Sequence, residues 1–191
     1  MTPSKLDKID NVQMTHPFWN FSLEVYSKKG VSDSCIALQE SHGVDVNILL
    51  FCCWAASVGH PVLSKHEMAL LCRSTAEWNQ DIIQKLRNVR KSLKIKNYEC
   101  NEEEVRDLQN QILEVEIKAE QTEQFKMMRT IAVLEDQSVP EIQRISNALE
   151  NLTLYLSMPE LSTTCYTTEL CNLLGGVFPK ASKTDIKLAL G

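Results

Sequence analysis

The stretch that decides the fold is DVNILLFCCWAASVG, residues 45–59. Its nine-residue middle, ILLFCCWAA, is apolar throughout, so the segment has no polar face at helical or strand spacing. A helix that is apolar all round is buried, and this run is far shorter than the roughly 20 residues that cross a bilayer. Asp45 suits the N-cap position, and Gly59 suits the position that ends a helix. The stretch therefore predicts a buried central helix over residues 45–58 and no membrane span.

The composition is that of an ordinary globular protein. The 191 residues suffice for a hydrophobic core, and 43% of them are apolar and 24% are charged. A net charge of −5 argues against wholesale binding to nucleic acid or to an anionic membrane. The polar first residues have no apolar core of the kind an export signal needs, and the seven cysteines are an odd number. We therefore expect a cytoplasmic protein whose cysteines are reduced.

The cysteine and histidine residues do not have the spacing of a metal site. Ligands of structural zinc usually leave one turn together, as in C-x-x-C or H-x-x-x-H. Cys52 and Cys53 are adjacent, so on a helix they point about 100° apart and are poorly placed to share one ion. We predict neither a metal nor a cofactor.

Helix signals flank the central stretch on both sides. Residues 1–15 are expected to form a mobile arm, and residues 16–97 a globular core of helices. Ser64 with Glu67 and Ser74 with Glu77 each have the spacing of a capping box, which predicts two separate helices after the central one. The second of these helices, up to residue 96, has an apolar stripe and an otherwise basic surface.

The second half of the chain reads as two long helices. One starts at Asn101, and a third capping box at Ser138 to Glu141 opens the next. Apolar residues recur at heptad spacing in both, so we expect an antiparallel helical hairpin over residues 101–157, which could associate with a second chain or another protein. Residues 164–191 complete the chain as a helix and tail. The expected fold is an all-α, compact multi-helix bundle, with residues 16–191 as one domain.

A polar junction precedes the central helix and forms the first candidate site. His42, Asp45 and Asn47 could act together in acid–base chemistry or in ligand binding. Each also has a purely structural explanation, since helix ends require capping residues of these types. The nearby aromatic residues that could line such a ligand site are Trp19, Tyr26 and Trp54.

The basic surface of the helix over residues 78–96 is the second candidate site. Its cations could contact nucleic-acid phosphates. They could equally be solvated, or pair with the acidic helix that follows, and this neighbour makes nucleic-acid binding the weaker interpretation. The residues concerned are Arg87, Arg90, Lys91 and Lys94.

Motifs of the common enzyme classes are missing from the sequence. There is no glycine-rich phosphate loop, no G-x-S-x-G and no H-E-x-x-H. An enzyme is therefore unsupported, and the favoured function is a non-catalytic interaction or adaptor protein. The alternatives are a small-ligand binder or enzyme at the polar junction, and a nucleic-acid-associated protein.

The first half of the chain also carries a longer pattern of aromatic, apolar and polar residues. It runs FWxFSxxxY from Phe18, then LQxxHGxDVNxLLFxxW from Leu38 to Trp54, and continues with Trp78 and the basic series up to Lys94. With this pattern, residues 18–96 resemble an uncharacterised family of short, mostly proteobacterial proteins that is known only as a domain of unknown function. The resemblance implies a small, all-helical, cytoplasmic protein and brings no activity, cofactor or catalytic residue.

Overall fold

The computed structural model describes residues 16–95, 98–158 and 167–181, and these residues form helices and turns without any strand. The predicted all-α, compact bundle is confirmed. The expectations for the arm at 1–15 and for the tail after 181 lie outside the described residues. The helices are α1 (Pro17–Tyr26), α2 (Val31–His42), α3 (Val46–Ser57), α4 (Lys65–Trp78), α5 (Gln84–Ile95), α6 (Glu102–Thr130), α7 (Glu141–Leu156) and α8 (Thr167–Val177), with a π-helical segment (Asn79–Ile83) between α4 and α5.

Helix α3 is the centre of the bundle, as its apolar sequence predicts. Every residue from Asn47 to Ala56 is buried, and α7, α1, α2, α6 and α8 all pack against this helix. Asp45 is the N-cap, and its side chain accepts from the backbone N–H of Asn47. Gly59 follows the helix in the left-handed conformation, with φ 88°. A helix without a polar face is stable only where every side is covered by other helices, so the sequence of α3 determines its place in the centre of the bundle.

The predicted break between two helices at Ser74 is wrong. The chain runs from Lys65 to Ile95 without leaving helical conformation, passing through the π-helical segment. Ser74 donates its hydroxyl to the carbonyl of Leu71 at 2.8 Å, so it bonds back into the preceding turn instead of capping a new helix. The capping box at Ser64 and Glu67 does form, because a real helix end lies there.

Helices α6 and α7 do not pair with each other as the predicted hairpin requires. α6 lies along α4 and α5, whereas α7 lies along α3. The apolar side of α7, with Ile145, Ala148 and Leu152 buried, covers the uniformly apolar α3. The acidic side of α6 instead forms ion pairs with the arginines of α5. Each helix therefore packs against the helix that matches its side chains, apolar against apolar for α7 and acidic against basic for α6.

The connection between α6 and α7 also differs from the sequence expectation. α6 ends at Thr130, and the following extended segment is held where Asp136 donates its N–H to the carbonyl of Val58 at 2.8 Å. Pro140 is the N-cap of α7, while the hydroxyl of Ser138 donates to the carboxylate of Asp136 at 2.6 Å. Ser138 is thus occupied in the preceding turn and does not form the third capping box.

Candidate functional site

A chain of hydrogen-bonded polar side chains crosses the otherwise apolar interior. The amide of Gln124 donates to Ser22 on α1 at 3.1 Å and to the side-chain oxygen of Asn47 on α3 at 2.8 Å. Asn47 in turn donates to Oε2 of Glu123 at 2.7 Å. Glu123 is 0% exposed, and its Oε1 has no hydrogen-bond partner among the described residues. A carboxyl group that is buried and half-satisfied is unusual, because unpaired polar atoms are costly inside a protein.

Asp45 joins three helical elements at the edge of this polar chain. Its Oδ1 accepts from the N–H of Asn47 at 2.9 Å, and its Oδ2 accepts from the side-chain amide of Asn79 at 3.0 Å. Its own backbone N–H donates to the hydroxyl of Tyr155 on α7 at 2.9 Å. Asn79 opens the π-helical segment, a distortion that often occurs at functional positions. The side chain of Asp45 is therefore fixed from two directions.

The two carboxyl groups have different proton affinities. Burial raises the pKa of Asp45 to about 6, against the hydrogen bond from Asn47 and the charge of Arg87. Burial, together with the nearby charge of Asp45, raises the pKa of Glu123 to about 9. Near neutral pH, Glu123 therefore keeps its proton while Asp45 is largely ionised.

An open cleft of about 530 Å³ reaches Asp45 from the surface, between the end of α2, the start of α3, α4 and the end of α7. The structure brings His42 and Asp45 of the predicted junction together in its wall. Asn47 lies behind that wall, hydrogen-bonded to Glu123. The lining consists of His42, Gly43, Asp45, Ile48, Ala69, Cys72, Arg73, Thr75, Ala76, Asn79, Tyr155 and Met158.

None of the three aromatic residues proposed from the sequence belongs to that lining. Trp54 is 4% exposed and stacks on Phe18 in the core, with ring centroids 5.2 Å apart. Tyr26 is 36% exposed on α1, and its partial burial, with Cys35 and Glu120 nearby, raises its pKa to about 12. Trp19 is half-buried in the first turn of α1.

Three of the four cations proposed for nucleic-acid contact are paired with carboxylates. Arg87 binds Glu116 at 2.9 Å and Glu120 at 2.6 Å, and Arg90 binds Glu116 at 2.6 Å. Lys91 reaches Glu40 on α2 at 2.6 Å, while Lys94 is exposed. Although burial opposes it, Arg90 and Arg87 together lower the pKa of Glu116. This is the pairing with the acidic neighbour that the sequence offered as an alternative.

Two chemical features are missing from the described ranges. Residues 16–95, 98–158 and 167–181 contain no group of three or more His, Cys, Asp or Glu side chains arranged to hold a metal ion. Within the same ranges, no helix combines the length and the apolar character that crossing a bilayer requires.

Sequence reasoning missed Glu123, Gln124, Asn79 and Tyr155. A signal for Glu123 was present, because the apolar residues Ala119 and Met127 lie four positions before and after it, on one stripe of the helix. A glutamate in that position of the stripe faces the protein interior. Asn79 gave no such signal, since its contact with Asp45 depends on how α4 continues into the π-helical segment.

A further feature is an apolar surface on α6, on α5 and on the end of the π-helical segment that precedes α5; we name it the outer face. Ile82 and Val89 are 38% and 51% exposed, and Leu108 and Val115 are 46% and 54% exposed. Half-buried residues lie between them at helical spacing. The outer face consists of Ile82, Leu86, Val89, Leu93, Leu108, Ile112 and Val115.

The two stripes of the outer face lie on the same side of the helix pair. Lys91 reaches α2, and Gln124 reaches α1 and α3, so these side chains mark the sides of α5 and α6 that are turned towards the bundle. About 120° to 180° of helical rotation separates each of them from the apolar residues of the outer face on its own helix. Both stripes therefore point away from the bundle.

Comparison with known proteins places the chain in a family. No curated protein and no solved structure matches it. The family model described as "Protein of unknown function (DUF2390)" matches residues 17–127, which include α1 to α5, most of α6 and the Asp45–Glu123 pair. This match spans more than half of the chain and confirms the resemblance seen in the sequence. The chain belongs to this family of proteins of unknown function.

Proposed function

We propose that the protein is a non-catalytic interaction protein and that its partner is a second copy of itself, bound through the outer face. The observation that carries this proposal is the pair of adjacent apolar stripes on α5 and α6. Single exposed apolar residues are normal, but a contiguous patch on two packed helices is typical of an interaction site.

The charges of the two helices favour a second copy as the partner. Arg87, Arg90 and Lys91 of α5 pair with carboxylates of their own chain, but Lys85 and Lys94 are exposed. The first half of α6 exposes five acidic residues, which are Glu102, Glu103, Glu104, Asp107 and Glu114. In a two-fold symmetric pair, α5 of each copy can lie on α6 of the other, which brings the basic helix next to the acidic one. The result is a four-helix bundle with an apolar centre.

The size of the outer face indicates a weak pair. The outer face covers about 18 Å of helix from Ile82 to Leu93 and about 12 Å from Leu108 to Val115, and each helix is about 10 Å wide, so each copy contributes about 300 Å². That area corresponds to the small end of specific interfaces, where association is transient. We expect a monomer–dimer equilibrium that depends on protein concentration.

Substitution on the outer face tests the proposal. Val89→Glu places a charge in the apolar centre and opposite the acidic helix of the other copy, so we expect a monomer at all concentrations. The matched control is Leu134→Glu, because Leu134 is 67% exposed but lies after α6, away from the outer face. Size-exclusion chromatography with light scattering measures the molar mass of the parent and of both variants at several protein concentrations. Equal association of the parent and Val89→Glu, or a parent that stays monomeric, contradicts the proposal.

The second candidate function is small-ligand binding at the junction of His42, Asp45 and Asn47. The cleft that reaches Asp45 favours it, because its volume lies in the range of small-molecule sites. Association with nucleic acid through α5 is less favoured, because Arg87, Arg90 and Lys91 are already paired with carboxylates.

A further inference from the structure

We infer that the cleft beside Asp45 binds a small organic cation, with a primary ammonium group against the Asp45 carboxylate and a short apolar chain along the wall of the cleft. This inference rests on the second candidate function, ligand binding at that junction, and names the class of ligand. It is independent of pairing through the outer face, because the outer face and the cleft have no residue in common.

The carboxylate of Asp45 is held ready to accept a further hydrogen bond. It accepts hydrogen bonds within the protein from the backbone N–H groups of Asn47 and Ile48 and from the side-chain amide of Asn79. The two oxygens of a carboxylate have about four lone pairs, so one is left for a ligand. Because the existing bonds fix the side chain, a ligand loses little free energy in ordering it.

The surroundings of the cleft favour a positive ligand. α2 ends at His42 and α7 ends at Leu156, so the C-terminal ends of both helices lie at the cleft. The carbonyl end of a helix carries partial negative charge and attracts cations. The start of α3 also lies at the cleft, and the carboxylate of Asp45, its N-cap, compensates the partial positive charge of that helix end. Arg73 also lines the cleft, but it is exposed on α4, where water and salt screen its charge.

The wall of the cleft suits an alkyl group better than a hydrated metal ion. Ile48, Ala69, Ala76 and Met158 supply apolar surface next to the carboxylate. A divalent metal ion takes several oxygen or nitrogen ligands, and the described residues hold no cluster that could supply three. An ammonium group needs one fixed carboxylate and gains from apolar contact along its chain.

The test compares butylamine with 1-butanol, which has the same chain length and no charge. Titration followed by two-dimensional NMR on the full chain should show saturable shifts with butylammonium, including the backbone N–H of Asp45 that donates to Tyr155. Asp45→Asn keeps an oxygen for the N-cap but removes the charge, and should weaken amine binding by about tenfold or more. Asp81→Asn, which removes the same charge from an exposed position, should leave binding unchanged.

Each contrary result has a separate meaning. Equal binding of butylamine and 1-butanol, or equal binding of butylamine by the parent and Asp45→Asn, overturns the cation inference while leaving ligand binding at the junction intact. Absence of saturable shifts with either probe overturns both the inference and the second candidate function.

Discussion

Replacement of Glu123 by glutamine should make the protein more stable, and increasingly so as the pH rises. Burial raises the folded-state pKa of Glu123 from 4.5 to about 9, so the folded protein keeps a proton that the unfolded chain releases above pH 4.5. Between these two values the stability of the parent falls as the pH rises. Glutamine is neutral at every pH and can accept from Asn47 as the carboxyl oxygen does, so Glu123→Gln removes this loss.

The expected size of the effect follows from the proton balance. One proton held only by the folded state changes the free energy of unfolding by about 1.4 kcal/mol for each pH unit. Between pH 5.5 and pH 7.5 the stability difference between Glu123→Gln and the parent should therefore grow by about 3 kcal/mol in favour of the variant. Urea unfolding followed by circular dichroism at the two pH values measures it, and the contributions of unchanged groups cancel in the difference.

Glu116 provides a control of opposite sign on the same helix. Arg90 and Arg87 lower its pKa despite its burial. Glu116 is therefore ionised in the folded and in the unfolded protein, at pH 5.5 as at pH 7.5. Glu116→Gln should therefore destabilise the protein by about 3 kcal/mol at both pH values, because Arg87 and Arg90 lose a buried charged partner. A stability difference for Glu123→Gln that is flat with pH, or that shrinks as the pH rises, would refute the assignment of a neutral, buried Glu123.

Three other changes test separate parts of the structure. Gly59→Ala should cost about 2 kcal/mol or more in thermal unfolding, because φ is 88° there and the added Cβ would overlap the carbonyl oxygen of Asp136; an unchanged melting temperature argues against that turn. Exposed Cys100 should react with a thiol reagent at once, whereas the buried cysteines of α2 and α3 should react after denaturation without reductant, and disulfides found instead would contradict the reduced state. The protein should not bind DNA or RNA measurably near physiological salt. Tight binding would reverse our ranking of functions if it is lost in a variant with glutamine at Arg87, Arg90, Lys91 and Lys94.

Local signals in the sequence predicted those helices whose residues are compatible with only one environment or one position in a helix. The apolar run of α3 could only be buried, and Asp45, Ser64 and Asn101 cap the helices that they were expected to cap. The same rules failed at Ser74, because the serine hydroxyl can bond to the preceding turn as easily as it can cap a new one. Capping spacing alone does not tell these cases apart.

Tertiary pairing was beyond the reach of those signals. Heptad spacing in α6 and α7 shows that each buries a side, but not which helix covers it. The pairing was decided by the arginines of α5, which the acidic α6 compensates, and by α3, which α7 covers. Only part of the candidate site was predicted, for the same reason. His42 and Asp45 were predicted because they are close in sequence, whereas Asn79, Glu123 and Tyr155 were missed because they reach the site through tertiary contacts.

The mass of the protein in solution tests the proposed pairing through the outer face most directly. Sedimentation equilibrium of the full chain over a wide range of concentrations should show masses that rise from one 21.7 kDa chain towards twice that value. With Val89→Glu the mass should stay at that of one chain. A parent that remains a single chain at the highest concentration, or a dimer that Val89→Glu leaves intact, would contradict the proposal.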